Sequence, residues 1–205
     1  MVTLLKKAVL AGAAIGLGCI AYVSVDNKYM GAFLFSIGLL TICGMGWNLF
    51  TGKLCKCTMS HKELALVCLG NLLGSIFMCA CFTLSSSTLS KAYEIAEKKF
   101  NRPIYEGIIS AVLCEICIYI AVVGYKQIQF SIGKYLAVIL GVMVFILCGF
   151  EHCVADMFYY FVYLSPANWP YSTLYLLAVI FGNIIGACLM NIFDSKTKCI
   201  EKYTT

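Results

Sequence analysis

The sequence predicts an all-α integral membrane protein: six transmembrane helices in two inverted three-helix repeats, with the second and fifth helices interrupted. Three observations carry this prediction. Of 205 residues, 61% are hydrophobic and only 12% charged, and the mean hydropathy is +0.89. A soluble domain of this size cannot hide so much apolar side chain. Apolar runs recur at the length that spans a bilayer. Two short elements also occur twice in the same order, so the chain reads as one membrane domain, 1–205, with repeats at approximately 1–85 and 104–205.

The spans follow from the apolar runs at approximately 8–25, 31–50, 63–84, 104–124, 133–164 and 171–193. The start, "MVTLLKK", is basic, but no A-x-A site follows the next apolar run, so that run is read as a first transmembrane helix rather than a cleaved signal. Between the third and fourth spans, "SSSTLSKAYEIAEKKFNRP" is too polar for hydrocarbon and predicts a short surface helix ending before Pro103. "SPANWPYS" separates the last two spans and places Trp169 and Tyr171 at the interface.

Six spans put both termini on one side. That side carries Lys6, Lys7, Lys53, Lys56, Lys62, Lys126, Lys134, Lys196, Lys198 and Lys202, against Lys28, Lys91, Lys98, Lys99 and Arg102 opposite. The excess predicts cytoplasmic termini. It also accounts for the net charge of +5 without a nucleic-acid partner.

The fifth span is too long. About thirty residues at 1.5 Å each reach roughly 45 Å, against a hydrocarbon core of about 30 Å. Its middle, "CGFEHCVADMFYY", holds Glu151, His152 and Asp156, although an ionisable group at bilayer depth costs about 2.5 kcal/mol or more. A break into two half-helices resolves both anomalies. The repeat agrees: "GWNLFTGK" at 46–53 parallels "GFEHCVAD" at 149–156, and "GNLLGSIFM" at 70–78 parallels "GNIIGACLM" at 182–190. Three crossings reverse direction, so the second copy is inverted. Small residues at Gly12/Gly16, Gly70/Gly74 and Gly182/Gly186 predict close helix contacts.

Broken helices at mid-membrane are tolerated only where protein or a watery cavity satisfies their backbone. The half-helices after each break direct their partly positive N-terminal ends inward, which favours a small anion. Glu151 and Asp156 are then read as bracing the break rather than as ion ligands, and Asn48 holds the corresponding place in the first break.

"GAFLFSIGLL", "GMGWNLFTGK", "GFEHCVADMFYY" and the GN-x-x-G elements together resemble the formate/nitrite transporter family of pentameric channels, over nearly the whole chain. The resemblance implies an aquaporin-like fold in the inner (plasma) membrane, a homopentamer with one pore per protomer, and passage of small anions such as formate, nitrite or hydrosulfide. The short chain points to the hydrosulfide branch. By position, His152 corresponds to the family's central pore histidine and Thr51 to its hydroxyl partner. Leu39 and Phe50 correspond to one hydrophobic constriction, and Phe35 and Phe145, with Ile118 beside them, to the other. Lys99 corresponds to a lysine near the outer vestibule, where it would gather anions. Three positions depart from the family: Asn48 stands for a Glu, Asp156 for an Asn, and Glu115 for an uncharged Asn.

Two alternatives follow from other features. A neutral-solute pore of the aquaporin type also uses an inverted repeat, but its paired Asn-Pro-Ala signatures are absent. A membrane redox protein would need gathered thiols, whereas the thirteen cysteines are dispersed, mostly in apolar runs where a thiol is a small hydrophobe. Only Cys55, Cys57 and His61 in "CKCTMSH" are grouped, without the paired spacing of a structural zinc site. No catalytic triad, Walker loop or dinucleotide fingerprint is present, so no enzyme activity, cofactor or metal is predicted.

Overall fold

The breaks define the architecture. A computed structural model describes residues 1–55, 59–85 and 88–194, and the described residues form helices α1 (Val2–Val23), α2 (Lys28–Met45), α3 (Phe50–Leu54), α4 (His61–Ser85), α5 (Leu89–Phe100), α6 (Ile104–Gln127), α7 (Ser131–Leu147), α8 (Cys153–Tyr163) and α9 (Trp169–Phe193). Five of them, α1, α2, α4, α6 and α9, are long and apolar enough to cross a membrane. The predicted second span does not run unbroken to residue 50: α2 stops at Met45, and Phe50 opens the separate helix α3. The predicted fifth span is likewise two helices, α7 and α8.

Each break starts at a glycine. Gly46 has φ 64° and Gly149 φ 66°, the left-handed region that closes a helix at little cost for a residue without a Cβ. The next amide in each case turns back five residues: Trp47 N–H donates to Ile42 O at 3.0 Å and Phe150 N–H to Phe145 O at 2.9 Å. The same local chemistry thus ends α2 and α7.

Packing around the breaks is equally paired. Helix α1 lies against α4 and α2, and α6 lies against α9 and α7. Small residues make the first contact of each set possible. A Cβ on Gly12 would come within 2.1 Å of Asn71 O, and one on Gly182 within 2.5 Å of Ile108 O. Backbones this close leave no room for a side chain.

The surface helix α5 is amphipathic. Ala92, Ala96 and Phe100, spaced four apart, are buried on one face, and the helix packs against α8. Lys91 ties it to the α1–α2 turn by donating to Val25 O at 2.7 Å and pairing with Asp26 at 3.2 Å. Large exposed side chains elsewhere, among them Phe33 and Ile37 on α2 and Leu136 and Leu140 on α7, suit contact with lipid or another apolar surface.

Candidate functional site

Two asparagines hold the broken backbone. Asn71 on α4 accepts from Phe50 N–H at 2.8 Å and donates to Asn48 O at 2.9 Å and Ala8 O at 2.8 Å. Asn183 on α9 accepts from Cys153 N–H at 3.0 Å and donates to Glu151 O at 3.2 Å and Ala111 O at 2.8 Å. Each therefore satisfies the last carbonyl group of a break and the first amide of the half-helix that follows. Both are fully buried. The leading amide of each half-helix is consequently already taken, which leaves the positive helix end to act through its field.

These braces are the Asn of the two GN-x-x-G elements, so a signal for them existed in the sequence. The role expected of Glu151 at the break falls instead to its own carbonyl, while its carboxylate points to a charge cluster. Asn48 uses its side chain elsewhere, donating to Leu4 O at 3.2 Å. Asp156 accepts no hydrogen bond at either side-chain oxygen and braces no backbone group through them.

The braced breaks bring Thr51 and His152 together. Thr51 Oγ1 is 3.0 Å from His152 Nε2, and both residues are buried. Ala155 N–H donates to His152 Nδ1 at 3.2 Å, so the histidine caps α8 with its own ring. A ring that accepts at Nδ1 carries its proton on Nε2 when neutral. The Nε2–H then donates to Thr51, and the hydroxyl proton of Thr51 remains for another acceptor.

Aromatic rings frame the histidine. Phe145 stacks on it with centroids 5.6 Å apart and planes at 19°, and Phe35 meets Phe145 edge-on at 5.9 Å. Phe35, Phe145 and His152 line one cavity of about 220 Å³. A second cavity of about 80 Å³ is built from the first break, with Leu39, Trp47 and Leu49 among its walls. Phe50, Thr51 and Ile118 are buried and line neither cavity.

Lys99 does not offer a free charge. Its ammonium is paired with the Glu151 carboxylate and lies 3.1 Å from Asp156 Oδ1. Burial works to lower its pKa, but the carboxylates of Asp156 and Glu151 outweigh that and hold it above the ordinary lysine range. Arg102, in sequence only one of the charges opposite the termini, donates to Glu151 Oε1 at 3.0 Å and to Gly149 O at 3.2 Å. Tyr175 adds a third donor to Glu151 at 3.3 Å. The expected anion collector is therefore paired within a cluster of Lys99, Glu151, Asp156 and Arg102 in the wall of the His152 cavity, and Arg102 also pairs with Glu106 at 3.6 Å. The pairing joins α5 to α8, which chain spacing alone does not reveal.

The other departures have quieter surroundings. Glu115 on α6 is buried, accepts from Cys55 Sγ at 3.4 Å, and has no partner at Oε2. Cys57 lies outside the described residues, as do Lys56, Lys196, Lys198 and Lys202 of the charge-bias argument. Among the described residues no group of three His, Cys, Asp or Glu side chains is placed to hold a metal ion.

Comparison with known proteins adds a family. The family described as formate/nitrite transporter matches residues 1–193. An uncharacterized transporter of Bacillus subtilis, YrhG, is 27% identical over 91% of this chain and 81% of its own length. The formate channel FocA of Haemophilus influenzae is 26% identical over 72% of this chain, and the match spans 62% of its own length. Among solved structures, one described as an FNT family ion channel superposes with a TM-score of 0.82 at 24% identity, covering 93% of this chain and 88% of that one. Another, a pentameric formate channel with formate bound, gives 0.79 at 23%, covering 91% and 92%. At these identities the structural likeness establishes the fold.

Proposed function

Because this chain belongs to the formate/nitrite transporter family, and so is a multi-pass membrane transport protein rather than an enzyme, we propose that it is a channel for small monovalent anions, with formate the leading candidate and nitrite and hydrosulfide in the same class. The proposed architecture is six crossings in two inverted repeats, the fifth crossing being α7 with α8. Support comes from the matched glycine turns and the matched asparagine braces at the two breaks. Both termini are proposed to be cytoplasmic, in the inner (plasma) membrane. A homopentamer is proposed from the likeness to a pentameric channel and from the broad apolar faces of α2 and α7.

The single observation that carries the reading is the buried Thr51–His152 contact between the two breaks. An anion loses much of its hydration between apolar rings, and the Thr51 hydroxyl, whose oxygen accepts from His152 Nε2–H, replaces part of it by donating its proton. Phe35, Phe145 and Ile118 are proposed as one constriction, and Leu39 and Phe50 as the other. The resting imidazole acts as a neutral donor. Protonating Nδ1 would break the cap on α8, so a cationic ring requires the helix start to shift. Family membership and this donor pair set aside the water-type pore and the redox protein.

Formate flux into liposomes containing the purified protein tests the proposal. Flux well above that of empty liposomes, and nearly abolished by His152→Phe in a protein that still assembles, is the expected result. No flux of formate, nitrite or hydrosulfide would overturn it.

A further inference from the structure

The two half-helices are held unequally. Helix α8 runs for 11 residues and packs against α4, α5 and α9, whereas α3 has only 5. A helix that short has little cooperativity of its own, and its last carbonyl groups find no partner inside it. Yet α3 carries Thr51, one half of the pair on which the anion reading rests. Asn71 fixes the first amide of α3 but not its far end.

That end is taken by α9. Asn191 Nδ2 donates to Leu54 O at 3.0 Å and to Ala187 O at 2.8 Å, so one amide group forks between the last residue of α3 and its own turn of α9. The bond to Ala187 sets the direction of the side chain, and the bond to Leu54 crosses between the repeats. Cys55 Sγ, just beyond, reaches Thr51 O and Glu115 Oε1 at 3.4 Å each, but a thiol is a weak donor. The end of α9 is itself pinned, because Tyr119 on α6 donates its hydroxyl to Asp194 at 2.9 Å. Asn191 therefore sits on a fixed turn rather than a fraying one.

The repeat explains why an amide stands here. Met78-Cys79 and Met190-Asn191 occupy equivalent places at the ends of the two GN-x-x-G elements, and Leu54 answers Met157. Cys79 belongs to α4, which packs on α8, and Asn191 to α9, which packs on α3. Met157 lies mid-helix in α8, where its carbonyl finds a partner one turn on, while Leu54 ends α3. The polar side chain stands in the copy whose facing half-helix stops short.

Helix α9 thus holds both halves of the pair. Asn183 takes the Cys153 amide beside His152, and Asn191, about 12 Å further along, takes the end of the helix that carries Thr51. We propose that Asn191 is a positioning residue for anion passage: together with Asn183 it makes α9 a gauge that sets the reach of Thr51 Oγ1 to His152 Nε2. When Leu54 O is released, α3 turns about its Asn71 tether, and the Thr51 hydroxyl loses its alignment with the ring and with the anion. The inference rests on the anion-channel reading above.

Formate flux into proteoliposomes tests it, measured for the wild type, Asn191→Leu, Thr51→Val and the double variant. Asn191→Leu is expected to lower flux about fivefold or more, the rate equivalent of one lost hydrogen bond. In the Thr51→Val protein, which has no hydroxyl to place, the same change should lower it less than about twofold. A merely structural loss would lower flux by the same factor in both backgrounds. Should Asn191→Leu fail to assemble, Asn191→Ser, too short to reach Leu54, carries the same expectation. Failure of both to assemble assigns Asn191 to folding and overturns the positioning role. Wild-type flux in the assembled Asn191 variant, or equal factors in the two backgrounds, overturns it and leaves the channel standing. Loss of all anion flux in the wild type overturns both.

Discussion

Thr51 Oγ1 and His152 Nε2 lie 3.0 Å apart although 101 positions separate them in the chain. Each residue belongs to the short helix that restarts after a break, or to its cap. The contact therefore depends on both breaks having the correct shape. Asn71 and Asn183 set that shape by tying the break carbonyls and the restarting amides to α4 and α9. A polar pair at this depth needs such support, since an unpaired polar group here costs about 1–3 kcal/mol.

Thr51→Val is expected to lower formate flux about tenfold or more, the rate equivalent of one lost hydrogen-bonding partner. Valine keeps the shape but leaves His152 Nε2–H without its acceptor. Thr51→Ser restores the hydroxyl and should recover most of the flux. Equal flux in the Val and wild-type proteins would show that the hydroxyl serves neither the ring nor the anion.

Asn183→Leu strands the Cys153 amide and the Glu151 carbonyl in a dry interior and removes the tie to Ala111 O on α6. At about 1–3 kcal/mol for each stranded group, the loss is large beside ordinary stability. The expected outcome is a fall in thermal unfolding midpoint in detergent of at least about 5 °C. Asn71→Leu should behave alike, since its three bonds are the counterparts of these. A midpoint unchanged in both variants would mean that the breaks hold without their braces.

Phe145→Ala removes the ring that stacks on His152 and meets Phe35. The packing loss is about 3–5 kcal/mol, so Phe145→Leu is the milder companion. Both should raise formate flux and admit a larger anion such as acetate, because the barrier at this point is apolar and narrow. Unaltered size selection in a folded variant would place Phe145 off the pathway.

How much of this was legible in the sequence depends on the kind of interaction. The breaks were readable because each needs a glycine with positive φ and repeats its neighbours, Gly46-Trp47-Asn48 and Gly149-Phe150-Glu151. The asparagine braces were visible as repeated letters, but their partners are backbone atoms, which have no letter. Glu151 was expected to brace the backbone, and its carboxylate instead joins Lys99 and Arg102, because α5 docks against α8. Charge alone could not show that Lys99 is already neutralised. Phe50 and Ile118 are buried apolar residues, and an apolar letter by itself does not separate a pathway face from a packed one.

The ion pair of Lys99 with Glu151 should be strongly coupled. Removing one member of a buried pair leaves the other charged and unpartnered, at a cost of about 3–5 kcal/mol, whereas removing both avoids that penalty. Lys99→Met leaves Glu151 with Arg102 and Tyr175 but leaves Asp156 with no cation. Glu151→Gln leaves Lys99 with Asp156 alone and frees Arg102 from its main acceptor. Because the carboxylates hold the Lys99 ammonium above the ordinary lysine range, its contribution is present throughout pH 5 to 8 and is lost only as pH rises past that range. The measurement is chemical unfolding of the two single variants and the double variant at pH 7, arranged as a cycle. The double variant should be less destabilised than the sum of the singles by at least about 1 kcal/mol. A strictly additive cycle would mean that Lys99 and Glu151 do not stabilise one another in the folded channel, and that the cluster is held by Arg102 and Tyr175.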